Sequence, residues 1–230
     1  MAPGRTGAIA SSLATSRAAS ARCAGAEVAD IRPYQPGDLE DLYAICLATG
    51  WAGQDAAGIY TDPKLVGHLF AAPYGVLAPE CALVAEDGEG AGGYIIGTAD
   101  TAAFAARLER EWWPTLRGQY ADPKGGPPAD WTPDQRLAWQ IHHPRPPRPA
   151  LLARYPAHLH IDLLPRLQGQ GMGKRMIDAW LALIRAHGAR GAHLEVGTAN
   201  ARAIRFYRTY GFTEEAEWSS ASTRLFATTL

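Results

Sequence analysis

The sequence predicts an α/β (α+β) chain in which one mixed central sheet carries helices on both faces, and three observations support that prediction. Residues 158 to 174 read as strand, turn and helix start: Leu159, Ile161 and Leu163 alternate with period two, Pro165 stops the ladder, and a glycine-rich turn leads into an apolar helical pattern. Two strand-like runs, 81–85 and 92–98, flank Asp87-Gly88-Glu89-Gly90, which is hairpin turn chemistry and predicts an antiparallel pair. Between such runs, apolar residues recur at helical spacing.

In chain order, Val28 to Arg32 is the first strand. Pro36-Gly37-Asp38 turns it into a helix with Asp38 as N-cap and Leu39, Leu42, Tyr43, Cys46 and Leu47 on one face. A second helix is signalled by Asp62-Pro63, cap plus first-turn proline, followed by Leu65, Val66, Leu69 and Phe70. The loop between them, Gly50 to Thr61, holds Trp51, Asp55 and Tyr60, which can line a pocket or serve only to pack; Trp51 is carried forward as a substrate-side candidate. After the hairpin, Phe104, Leu108, Glu111 and Trp112 follow helical spacing up to Pro114, where the pattern dissolves.

Residues 118 to 157 hold nine prolines and one brief helical candidate, Thr132 to Ile141. That is long for a connection within a domain, and Tyr120, Trp131, Trp139, His142, His143 and Tyr155 are too much aromatic surface to leave in water, so the segment is expected to pack as a cover. Adjacent His142 and His143 point different ways and lack further ligand spacing, so no metal site is expected. Beyond the opening strand and turn, Met172, Met176, Ile177, Trp180, Leu181 and Ile184 stripe a helix to about His187, stopped by Gly188. His193 to Val196 is a strand, Asn200 caps a helix through Tyr210, Gly211-Phe212 closes it, and Glu217 to Thr228 alternates loosely as one or two terminal strands.

At 230 residues, one domain (27–230) after a flexible tail (1–26) is the expected organisation, given the usual domain size of about 100 to 200 residues. The tail is rich in Ala, Ser and Gly and has no acid before Glu27, a composition loosely like an organellar transit segment; its lack of periodicity favours a flexible arm. A formal net charge of −1 offers no basic surface to grip nucleic acid, and no run approaches the ~18 apolar residues of a membrane span. Cys23, Cys46 and Cys81 are odd in number and unpaired by spacing, which reads as a reducing cytoplasm. The apolar terminal strands offer a surface for pairing across a homodimer.

The turn at 168–174 opens a helix, so its first N–H groups lack internal partners and the positive end of the helix dipole favours a phosphate. Two common phosphate loops fail on residue identity. Gly-x4-Gly-Lys-Ser/Thr would need glycine at Gln168 and a hydroxyl at Arg175, and Gly-x-Gly-x-x-Gly from Gly169 would need glycine at Lys174. What stands here is Gln168-x-x-Gly171-x-Gly173, which resembles the coenzyme A pyrophosphate loop of the GCN5-related N-acetyltransferase (GNAT) family. A second stretch, Leu194-Glu195-Val196-x3-Asn200-x2-Ala203-Ile204-x-Phe206-Tyr207-x3-Gly211-Phe212, resembles that family's next motif, and the order of elements over about residues 27 to 215 fits its layout.

The resemblance implies a sheet splayed between strands 4 and 5. Pantetheine of acetyl-CoA would lie in the gap as a pseudo-strand on free backbone groups near Leu163 and Leu164. It places the pyrophosphate on the turn from Gln168 through Gly169, Gln170, Gly171, Met172 and Gly173 to Lys174, with Asn200, Ala203, Phe206 and Tyr207 completing the cofactor site. The implied activity is direct transfer of acetyl to a primary amine, with Tyr207 protonating the departing thiolate. Glu195, twelve residues before Tyr207 as in the ribosomal-protein acetyltransferases, is then the first candidate base. Asp162, a charge in an apolar strand, is the second, and His158 and His160 share its face; His160, Asp162 and Trp51 are the expected acceptor-side contacts.

Further stretches, Arg32-Pro33-Tyr34-Gln35-Pro36-Gly37-Asp38, Asp62-Pro63-x-Leu65-x-Gly67-His68, Ala71-Ala72-Pro73-Tyr74, Gly93-Tyr94-Ile95 and His158 to Pro165, look like bacterial relatives of the acetyltransferase-like C-terminal domain of O-GlcNAc hydrolase. Three functions follow from the resemblance. The first is an acetyl-CoA-dependent N-acetyltransferase acting on a small-molecule amine or amino sugar, with no metal. The others are a noncatalytic acyl-CoA-binding or partner-binding module, and an acetyltransferase of protein N-termini or lysines. The intact turn together with Tyr207 favours the first.

Overall fold

The computed structural model describes residues 29–124 and 130–230, so the tail at 1–26, Cys23, Val28 and Pro127-Pro128 lie outside the described residues. The strands are β1 (Asp30–Pro33), β2 (Leu83–Asp87), β3 (Gly90–Thr98), β4 (Ala157–Leu163), β5 (Gly191–Gly197), β6 (Thr213–Glu214) and β7 (Thr223–Thr229). They form one sheet in the order β1-β2-β3-β4-β5-β7-β6, in which only β4 and β5 run parallel among the described residues. The hairpin forms as the turn chemistry predicts, with Asp87 opposite Gly90 and a bulge at Ala85 and Glu86.

The strand period divides the sheet into two cores. On one face Tyr94 and Ile96 pack with Leu42 of α1 (Leu39–Thr49), with Leu65 of α2 (Leu65–Phe70), and with Tyr74 of α3 (Ala72–Leu77). On the other, Ile95 and Leu159 meet Met176, Ile177, Trp180 and Ile184, the stripe of a helix that will be α8 (Met172–Ala186). The Trp180 indole is fully buried, and its N–H finds the Cys81 carbonyl at 2.9 Å, so this large ring leaves no polar atom orphaned.

Several sequence expectations change. Asp38 precedes α1 but does not cap it: its carboxylate takes the Gln35 N–H at 2.7 Å and the Arg32 guanidinium at 2.7 and 2.8 Å, tying β1 to the turn. Asp62 likewise accepts from the Lys64 N–H and from the Tyr120 hydroxyl, and α2 begins only at Leu65. The helical pattern does not stop at Pro114. After α4 (Thr101–Arg107) a π-helical turn, Leu108–Trp112, re-aims the chain, and Pro114 falls in the first turn of α5 (Trp113–Gln119), where its missing N–H costs nothing.

The 118–157 segment is also more regular than its prolines suggest. Pro133 and Pro149 open helices α6 (Pro133–His142) and α7 (Pro149–Arg154) rather than breaking them, and Ile141 and Leu151 are fully buried. α6 carries the full reciprocal cap, with Thr132 accepting from the Gln135 N–H and Gln135 from the Thr132 N–H. The last helix, α9 (Ala201–Tyr210), is capped by Asn200 and closed by Gly211 at φ +113°, as its sequence predicts. At the C-terminus β7 lies between β5 and the two-residue β6, inside the sheet rather than at its edge. No helix among the described residues is long and apolar enough to cross a membrane.

Candidate active site

β4 and β5 pair only at Ala157 with Ala192 and at His158 with His193; beyond those two steps they separate. β4 stays on β3 through Leu163 and β5 stays on β7 through Gly197, so each presents an unpaired edge to the gap. The Leu164 N–H donates to the Gly92 carbonyl at 2.8 Å, which fixes which residues face which way: even-numbered main-chain groups of β4 serve β3, and those of Ile161 and Leu163 face the splay. Leu164, expected to offer free backbone groups, therefore does not, and the Leu163 carbonyl also accepts from the Gln168 side-chain amide.

A cleft of about 400 Å³ opens at the wide end of the splay. It is lined by Asp162, Leu163, Gln168, Gly169, Gly171, Gly173, Lys174, Asn200, Ala203, Phe206 and Tyr207, all expected from sequence, and by Thr49, Gly53, Ile161 and Arg202, which were not. Gly169 and Gly171 have φ of +75° and +78°, left-handed values that bare the turn's backbone at the start of α8. A Cβ on Gly173 would meet the Phe206 ring at 3.2 Å, so glycine there lets α8 and α9 close on each other. Gln170 turns back to the Arg166 carbonyl and Met172 is buried in the core, because a first-turn side chain points down onto the sheet; both contribute backbone at most.

Arg202 of α9 contacts the Gln168 side-chain oxygen, so a helix side chain and a turn side chain meet here. A turn of exposed amides, a helix N-terminus and a strand edge with free amides fit an acyl-carrier with a pyrophosphate and an amide-bearing arm. Tyr207 sits at the cleft with no hydrogen-bond partner for its hydroxyl among the described residues. Burial, and then the nearby Asp162 charge, push its proton affinity up. Asp162 receives the Tyr94 hydroxyl at 2.6 Å; burial raises its pKa, and that hydrogen bond opposes the rise.

A second cavity, about 930 Å³, lies on the other side of the splay. Its floor is His158 and His160 of β4 and His193 and Glu195 of β5, and its wall is Arg136, Trp139, Gln140, His143, Pro144 and Arg145 of the 118–157 segment. Glu195 is not a free carboxylate here: it is bonded by Arg145 at 3.2 Å and closely by Arg148. His160 does line this cavity, whereas Trp51 lines neither: it is half-exposed in a tight turn with Gln54, and the neighbouring Gly53 reaches the cofactor-side cleft instead. Sequence reading missed Tyr74 and Thr101 on this side, since neither carries a motif; only the likeness of the Ala71–Tyr74 stretch to relatives hinted at the first.

A parallel pair opened after two steps, with a phosphate-type turn at its mouth, is an arrangement that suits an extended acyl-carrier. The chain belongs to the acetyltransferase (GNAT) family, whose model matches residues 32–212, and acetyl transfer is the general chemistry of that family. It is 28% identical over 197 residues to the protein O-GlcNAcase of Mus musculus and 27% over 194 residues to that of Rattus norvegicus. Each match covers 83% of this chain, which spans about a fifth (21%) of the length of those relatives. Among solved structures, SsHAT is 38% identical with a TM-score of 0.78, over 87% of this chain and 98% of that one. The PaiA N-acetyltransferase from Thermoplasma acidophilum, in complex with coenzyme A, shares the fold at a TM-score of 0.50 and 15% identity, over 88% of this chain and 99% of that one.

Proposed function

We propose that this protein transfers acetyl from acetyl-CoA directly to the primary amine of a small molecule or amino sugar, in the cytoplasm. The observation that carries this reading is the pair of cavities lined by successive residues of one splayed strand. Ile161 to Leu163 line the cleft that suits the carrier, and His158 to His160 line a second, larger space walled by Trp139 and Arg145. Acetyl-CoA, when bound, supplies the activated thioester. The free Ile161 backbone groups, the Leu163 N–H and the 168–174 turn would hold its arm and pyrophosphate. Holding amine and thioester at one point removes much of the entropic barrier, and an amide at the splay polarises the acetyl oxygen. Tyr207, kept protonated by its burial, would give a proton to the departing sulfur.

The wall made by residues 136–145 bounds one side of the larger cavity, which supports a small acceptor over a protein chain. Calorimetric titration with acetyl-CoA, followed by a panel of amines monitored for free thiol, tests the reading. Absence of acetyl-CoA binding at millimolar ligand overturns it, and binding without turnover on a broad panel turns the protein into an acyl-CoA-binding module.

A further inference from the structure

Taking the N-acetyltransferase reading as its basis, we infer that His160 is the catalytic base that orients and deprotonates the attacking amine through Nδ1, and that Tyr74, His158 and Thr101 are positioning residues that lock its tautomer. The inference rests on counting protons along one chain of contacts. The Thr101 hydroxyl lies 2.6 Å from the Pro156 carbonyl, which can only accept, so Thr101 must donate there. Its oxygen is then the acceptor for His158 Nδ1 at 2.8 Å, and His158 carries its proton on Nδ1. His158 is buried and held neutral by desolvation, so its Nε2 is a bare lone pair, and the Tyr74 hydroxyl at 2.7 Å donates to it. Tyr74 has one proton and has spent it. The 3.1 Å contact from Tyr74 to His160 Nε2 must therefore be His160 donating. A neutral imidazole protonated on Nε2 has its lone pair on Nδ1, and Nδ1 has no hydrogen-bond partner among the described residues.

The reverse polarity fails at its far end. If Tyr74 donated to His160, His158 would give its proton to Tyr74 and need one from Thr101, leaving two oxygens 2.6 Å apart at Thr101 and Pro156 with no proton between them. Burial lowers His160 to about 4, so the ring is neutral at pH 7, while the Glu195 carboxylate across the splay pulls the other way and favours a proton arriving there. The groups around the ring are Tyr74 on α3, His158 on its own strand, and His193 and Glu195 on β5 with Arg145 paired to Glu195. Glu195, whose oxygens are taken by Arg145 and Arg148, is thereby moved from base to electrostatic support.

The amine nitrogen attacks the acetyl carbon, forming C–N, and its N–H becomes strongly acidic as it gains positive charge. One proton passes to His160 Nδ1 and later to solvent, the C–S bond breaks, and the thiolate takes the Tyr207 proton, which Tyr207 regains from water. An entering ammonium gives its first proton to water before attack and its second to His160 and then to solvent; one of these replaces the proton that Tyr207 gave to the thiol, and the other is the net proton released.

Nitrogen-15 NMR of histidine-labelled protein reads the tautomers directly, and kinetics read the role. The expected result is a proton on Nε2 of His160 and on Nδ1 of His158. Turnover should fall at least about 100-fold in His160→Gln, with acetyl-CoA affinity within about twofold of the parent. Tyr74→Phe should mix the His160 tautomers and lower turnover about tenfold with the same affinity for acetyl-CoA. A proton on Nδ1 of His160 in the parent protein, or a His160→Gln turnover within about threefold, overturns this inference alone. A protein that binds acetyl-CoA and acetylates no amine overturns the catalytic role together with the proposed function, and the tautomer spectrum tells the two failures apart.

Discussion

The two sides of the splay are built differently. The side proposed for the cofactor is mostly backbone: bared amides at Gly169 and Gly171, a helix start, and the open edge at Ile161 and the Leu163 N–H, with Asn200 and Gly173 holding α8 and α9 in place. The side proposed for the acceptor is built from side chains. Tyr74 comes from α3, Thr101 from α4, Trp139 from α6, Arg145 from the chain that follows, and the histidines from β4 and β5. A carrier common to many reactions can be gripped by features any sequence offers once glycine permits them, whereas an acceptor is selected by the groups that vary.

That contrast predicts that acid damages one side first, and this is the largest effect expected. His160 is held at about 4 against about 6.5 in the unfolded chain. A lowered native pKa means the unfolded state binds more protons, so stability is complete above about 6.5 and is lost as pH falls toward 4. The loss is on the order of 3 kcal/mol from this group. Urea unfolding between pH 7 and pH 4 measures it, and His160→Gln should make the dependence shallower, with the remainder coming from His158 and His193, which burial also holds below the ordinary histidine value. A flat profile in the parent protein would mean the imidazole is not buried neutral.

On the other side, Gly171→Val places a β-branched residue at φ +78° and covers the turn amides. Acetyl-CoA affinity by calorimetry should fall about 100-fold, ~2.7 kcal/mol, with the histidine tautomers unchanged; altered tautomers would show the two sides are not separable. Tyr207→Phe is expected to lower turnover by about 10- to 100-fold while the acetyl-CoA Kd stays within about twofold. A rate equal to the parent's removes the proton-donor role. Smallest is Glu195→Gln, which weakens its hold on Arg145 and Arg148: the acceptor KM should rise about three- to fivefold, roughly 1 kcal/mol. A change in acetyl-CoA Kd instead would place Glu195 on the wrong side of the division.

By itself, the sequence determined what is local. Period-two apolar runs made strands, Gly169 to Gly173 before an apolar stripe made a phosphate-type turn, and Asn200 and Gly211 bounded α9, because each depends on a few neighbouring residues and their backbone preferences. Only the tertiary structure decided the partners. Arg32 took Asp38 from its helix cap, Arg145 and Arg148 engaged the favoured base Glu195, and Leu164 spent on β3 the N–H expected for the carrier. Pro133 and Pro149 likewise started helices instead of ending order, since a helix start and a loop use the same residue and only packing, as at Ile141 and Leu151, distinguishes them. Hydrogen bonds and ion pairs between residues dozens of positions apart leave no spacing to read. The chain from Pro156 through Thr101, His158 and Tyr74 to His160 therefore appears only once the strands and helices are brought together.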